Sequence, residues 1–200
     1  MAPARGSGLR FALAFLFGLI LPTLQTLVLV LSGHAHLIRV PGANPATLSI
    51  PLLSYLALAC REEVAFRGYP LRRLDSRFGP WVAQFSIALV FALEHVAGGT
   101  GWVNALLGAT VGSILFGMAA LATRGLAVPV GLHAAWNFGQ WVLGGKETPG
   151  LWRSVTDEGW HTRLESIGMA ACVVPMAAAT FGFWRYGRRI AQNVKGKIQL

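Results

Sequence analysis

Charge is scarce in this chain. Only 12% of its 200 residues are Asp, Glu, Lys or Arg, while 54% are hydrophobic. An ordinary soluble domain carries about a quarter charged residues, so that class is excluded and a membrane protein is indicated. Cysteine is scarcer still, with Cys60 and Cys172 the whole complement. Both fall inside apolar stretches, which argues against a disulfide framework, and a thiolate zinc site would need more cysteines at closer spacing. They read as packing residues. Polar linkers that would separate domains are also missing, so residues 1–200 are taken as a single integral membrane domain.

Apolar runs are what the chain has in abundance. Six are long enough to span a bilayer: Leu9 to Leu31, Thr47 to Leu71, Trp81 to Ala97, Val103 to Thr123, Leu126 to Gly144 and Leu164 to Trp184. The expected fold is all-α, a polytopic membrane helix bundle with about six transmembrane helices. The first run follows a short basic leader, but it is too long for a signal-peptide core and no convincing small-residue cleavage site follows. It is read as a retained helix.

The net charge of +9 raises the question of nucleic acid. Its distribution argues against that partner. Arg5, Arg10, Arg67, Arg72, Arg73, Arg77, Arg124, Arg185, Arg188, Arg189, Lys195 and Lys197 fall on one side of an alternating six-span arrangement. Arg39, Lys146, Arg153 and Arg163 fall on the other, the last three mixed with Glu147, Asp157, Glu158 and Glu165. The positive-inside rule then puts both termini in the cytoplasm of a multi-pass cell-membrane protein. The basic stretches are matched to anionic lipid headgroups of the bilayer, and an Ala-, Gly- and Arg-rich chain this short reads as bacterial.

Gly and Pro mark Ser32 to Pro45 as a turn-rich external loop and Gly98-Gly99-Thr100-Gly101 as a tight external turn. Lys146 to Arg163, with Trp152 and Trp160, is expected to be an interfacial loop, with a lid as the alternative. Gly108, Gly112 and Gly117 suggest a close-packing face on the fourth span. Ser113 lacks the Gly-x-Ser-Gly turn of a rhomboid-like nucleophile, since Ile114 follows it. The second helix is expected to continue past Arg67 to about Leu74, with Arg67, Arg72 and Arg73 snorkelling outward, and Tyr69 to Gly79 to lie amphipathically at the cytoplasmic interface.

Against this background three polar patterns stand out: Glu62-Glu63-Val64-Ala65-Phe66-Arg67, Phe91-Ala92-Leu93-Glu94-His95 and His133-Ala134-Ala135-Trp136-Asn137. Ionisable groups in a hydrophobic span cost several kcal/mol unless they face a bundle interior or a wet cavity, so three such patterns suggest one shared site. Glu63 and Arg67 are spaced to pair along one helix face, which leaves Glu62 free. His133 and Asn137 share a face and can donate hydrogen bonds toward one point, as an oxyanion requires. For either pair taken alone, a structural hydrogen bond to a neighbouring helix is the competing account.

Glu-Glu-x-x-x-Arg, Phe-x-x-x-His and His-x-x-x-Asn, in this order on successive helices, resemble the CPBP family, which includes type II CAAX prenyl endopeptidases and bacteriocin-processing, Abi-like immunity proteins. Phe66-Arg67-Gly68 and the Gly-rich helix leading to His133 add to the likeness, whose core covers about residues 55–137. The resemblance implies an intramembrane endopeptidase acting on a membrane-bound or lipid-anchored protein or peptide. Glu62 would be the general base, His95 its assistant, His133 and Asn137 the oxyanion donors, and Glu63 with Arg67 a supporting ion pair. No cofactor is expected, although Glu62, His95 and His133 would also make a three-ligand zinc site with an open position for water. Glu94 departs from the expected apolar or small residue, and Arg61 is its nearest candidate partner. A non-catalytic immunity or scaffold protein is the second reading, and a proton-coupled transporter the third.

Overall fold

Each apolar run becomes a helix, because a segment shielded from water must satisfy its backbone N–H and C=O groups internally. The computed structural model describes residues 6–42, 44, 48–148 and 150–198; Arg5, Pro45 and Thr47, used in the sequence reading, lie outside them. Helix α1 runs Ser7–Leu31, α2 Ser49–Glu63, α3 Pro70–Phe78, α4 Pro80–Ala97, α5 Thr110–Thr123, α6 Ala127–Val142 and α7 His161–Ile198. A π-helical segment, Val64–Gly68, extends α2, and another, Asn104–Ala109, leads into α5.

The architecture is the expected all-α membrane bundle, and the chain is a multi-pass membrane protein. Among the described residues four helices are long and apolar enough to cross a membrane: α1, α4, α5 with its π-segment, and α7. The helices in the other two expected stretches fall short of that mark. Arg61, Glu62 and Glu63 lower the hydropathy of α2. In α6, 16 residues rise about 24 Å, less than a hydrocarbon core of about 30 Å.

The centre of the bundle is α6, buried along most of its length and packed against α1, α2 and α5. Glycine makes this closeness possible. A Cβ on Gly131 would lie 2.7 Å from the Phe11 carbonyl oxygen, and one on Gly18 would lie 2.8 Å from the Ala135 Cβ. The α1 and α6 backbones therefore meet with nothing larger than a hydrogen between them, as small residues permit in membrane bundles. On α5 the anticipated small-residue face is used at Gly117, which presses on the side chain of Gln84 in α4, whereas Gly108 has open space before it.

Two local expectations are corrected. The second helix does not run on to Leu74: it ends in the π-segment, and a new helix starts at Pro70, whose fixed φ and missing N–H suit a first turn better than an interior. Arg67 does not snorkel outward. It is fully buried, held by partners on two helices. Helix α3 is amphipathic as anticipated, with Leu71 packed on Ala83, Ile87 and Ala120 while Arg73 and Arg77 stay exposed.

The two longer external connections, read as separate loops, pair instead. Strand β1 (Ala35–Arg39) is antiparallel to β2 (Trp152–Thr156), with Ala35 opposite Thr156. His34 stacks on Trp160 at 3.5 Å between ring centroids. Asp157 closes the sheet end, bonded to His34 Nδ1 and His36 Nε2, each at 3.1 Å. The hydrogen bond from His34, followed by that from His36, holds the Asp157 carboxyl below its ordinary value. A depressed carboxyl stabilises the fold above its unfolded pKa of about 3.9, and that contribution disappears as pH falls through the lower folded value. Amide protection in β1 and β2, corrected for intrinsic exchange, should therefore drop below about pH 4, and Asp157→Asn should flatten that step.

Candidate active site

The junction between α2 and its π-segment delivers the acidic pair. A π-turn inserts an extra residue into the helical register, a device common at functional sites. Here Glu62 and Glu63 end α2 and Arg67 sits on the widened turn, so that both Glu63 and Arg67 are turned inward. Glu62 is 6% exposed, and Glu63 and Arg67 are fully enclosed.

Glu63 Oε1 accepts from Arg67 Nη1 at 3.2 Å and from His133 Nδ1 at 2.9 Å. Arg67 Nη2 donates to Ser113 Oγ at 2.7 Å and to the Ser113 carbonyl oxygen at 3.2 Å. Its guanidinium carbon lies 4.7 Å from the Phe91 ring centroid, a favourable seat for a desolvated cation. The expected Glu63–Arg67 pair thus exists, and Ser113 is an anchor for it.

His133 stacks on Phe116 with centroids 4.5 Å apart, and its Nε2 lies 3.7 Å from Glu62 Oε2. One imidazole therefore stands between the two carboxylates. With Nδ1 donating to Glu63, Nε2 can accept in the neutral ring and donate only in the imidazolium. Glu62 is also met by Arg61 Nη2 at 3.2 Å, and the same guanidinium reaches Glu94 at 3.9 Å, the pairing anticipated for Glu94.

His95 comes from the last turn of α4. Its Nδ1 bonds the Phe91 carbonyl oxygen at 2.9 Å, and the two rings lie 4.4 Å apart. The chain reverses at Gly99, with φ of +95°, and Thr100 N–H donates to the His95 carbonyl oxygen at 2.9 Å. Asn137, one turn beyond His133 on α6, accepts from Lys146 Nζ at 3.0 Å.

His95, His133, Asn137 and Lys146 line one open cavity of about 1180 Å³, walled also by Leu107, Phe116 and Met169. Glu62 is not itself a wall residue; its carboxylate adjoins the wall through His133. His95 lies on the same side of the bundle as His133, since both line this cavity. Among the described residues no three His, Cys, Asp or Glu side chains are placed to hold a metal ion.

Residues 44–139 match the family model described as type II CAAX prenyl endopeptidase, Rce1-like. Over that segment, just under half of its length, the chain is similar to the Rce1-like CAAX proteases. All seven polar residues of the three patterns lie inside it, and Lys146 lies outside. Comparison with curated proteins and comparison with solved structures each gave no match. Intramembrane endopeptidase activity on a membrane-associated substrate is what this Rce1-like family implies. Sequence reasoning missed two members of the site: Ser113, which it treated as packing, and Lys146, which it counted only as a loop charge.

Proposed function

We propose that the protein is a glutamate-type intramembrane endopeptidase, its chain one integral membrane domain with both termini in the cytoplasm of a bacterial cell. Its substrate is a peptide bond in a membrane-associated or lipid-anchored protein or peptide. The observation that carries this reading is the clamping of His133 between Glu62 and Glu63 at the wall of a cavity that His95 and Asn137 also line.

In the reaction, water adds to the scissile carbonyl carbon as its proton passes to the Glu62 carboxylate, a general base adjoining the cavity. His95 assists. Its Nδ1–H is held by the Phe91 carbonyl, which leaves the Nε2 lone pair of the neutral ring free to accept a proton. The carbonyl oxygen becomes an oxyanion that the Asn137 amide and protonated His133 steady by hydrogen bonds. The C–N bond then breaks, and the proton returns from Glu62 to the departing amine. Glu63 and Arg67 hold the His133 ring at the required angle. No metal takes part.

Hydrolysis is tested with the full chain in liposomes, a membrane-anchored peptide and H2(18)O. Two fragments should form, with one 18O atom in the new carboxylate and rates unchanged by chelator. A peptide that stays whole would mean a non-catalytic immunity or scaffold protein. Activity lost to chelator and restored by zinc would mean the metal-dependent version.

A further inference from the structure

We propose that Lys146 is a positioning residue that sets the orientation of the Asn137 amide. This rests on the proteolytic reading above and extends it beyond the family-matched segment.

A lysine ammonium has three N–H donors and no acceptor. Bonded to Asn137 at 3.0 Å, it can meet only the carbonyl end of that amide, Oδ1. The opposite end, Nδ2 with its two donor hydrogens, is thereby turned away from Lys146. An amide left to itself can present either end, and an oxygen facing a developing oxyanion repels it. Fixing the rotamer therefore separates a donor from a repulsive dipole.

The surrounding chain holds Lys146 in place. Gly144, with φ of +78°, passes so near β2 that a Cβ there would lie 2.6 Å from the Ser154 nitrogen. Gly145 N–H donates to the Gln140 carbonyl at 2.7 Å, and Gly150 N–H to the Trp141 carbonyl at 3.0 Å. The two hydrogen bonds fold the loop back onto the end of α6, the close approach of Gly144 sets that end against β2, and together they aim the Lys146 side chain back along α6 toward Asn137. The side chain stays accessible through the cavity, while its ammonium is crowded by protein. That crowding lowers the pKa of Lys146, and the nearby Glu62 opposes the shift.

The test measures kcat and KM on the membrane-anchored peptide for wild type, Lys146→Met, Lys146→Arg, Asn137→Ala and the Met/Ala double variant. Removing a whole oxyanion donor costs about 10²- to 10³-fold in kcat, and freeing its rotamer should cost about 10-fold. Lys146→Met is expected to lose that factor in kcat with little change in KM, and Lys146→Arg, which also only donates, to recover most of it. In the Asn137→Ala background Lys146→Met should cost nothing further, since its effect passes through the amide. The proposal is overturned by an undiminished kcat in Lys146→Met, by equal losses in the Arg and Met variants, or by a full loss persisting without Asn137. Should the Met variant not fold, Lys146→Gln, whose amide can present oxygen to Asn137, is expected to lose kcat in its place, and wild-type kcat there would overturn the proposal. A wild type that leaves the peptide whole would instead sink the proteolytic reading itself.

Discussion

Glu62→Gln should leave the bundle folded and lower the cleavage rate by about 10²- to 10⁴-fold, the range that a positioned general base supplies. The exchange keeps size and shape, so packing around a side chain that is 6% exposed is preserved. It removes the charge and the basic lone pair. Arg61 loses its 3.2 Å ionic partner, but that arginine is two-thirds exposed and water replaces the contact at little cost. His133 keeps its 2.9 Å bond to Glu63, so the ring stays in position. The loss should therefore appear in kcat with thermal stability near wild type. Equal processing of a membrane-anchored peptide by wild type and Glu62→Gln would remove Glu62 from the base role. The duty would then pass to His95, a wall residue whose Nδ1 alone is held by the Phe91 carbonyl.

Arg67→Met is expected to damage the protein in another way, through the fold. Breaking a buried ion pair by deleting one partner costs about 3–5 kcal/mol, because the remaining charge is left uncompensated. Here the survivor is Glu63, fully enclosed, whose other partner is His133. Ser113 loses its donor at the same time, and Phe91 loses the cation packed on its face. Unfolding in detergent should show the destabilisation, and activity should fall with it as His133 loses its fixed carboxylate. Adding Glu63→Gln removes the stranded charge and should restore part of the stability without restoring activity. A single variant as stable as wild type would mean that the buried Glu63–Arg67 pair contributes little to holding the fold together.

The two variants separate what could be read in the sequence from what could not. The Glu63–Arg67 pairing follows from four-residue spacing on a helix, a local rule that survives the π-segment between them. That Arg67 points inward does not follow from it. A long arginine stem can equally snorkel or turn in, and the choice is made by Ser113 on another helix. Lys146 was beyond reach for a similar reason. Its aim depends on β1 pairing with β2, two short strands far apart in the chain whose loops carry turn signals and no clear alternation. The break at Pro70 was legible in principle, since proline disfavours a helix interior, but the apolar run across it outweighed that signal.

The sequence by itself determined the medium and the inventory. An apolar chain in water-poor surroundings must form helices, and helical spacing puts Glu63 with Arg67 and His133 with Asn137 on shared faces. Which groups then meet was decided by tertiary structure alone, because those contacts join helices whose relative rotation no local rule fixes. Gly18 and Gly131 let α6 sink against α1 into the centre of the bundle, and from there His133 reaches both carboxylates at once. The same burial sets Glu62 one side chain back from the cavity. It also leaves Asn137 at the wall, where a loop folded back onto the end of α6 brings Lys146 against its carbonyl oxygen.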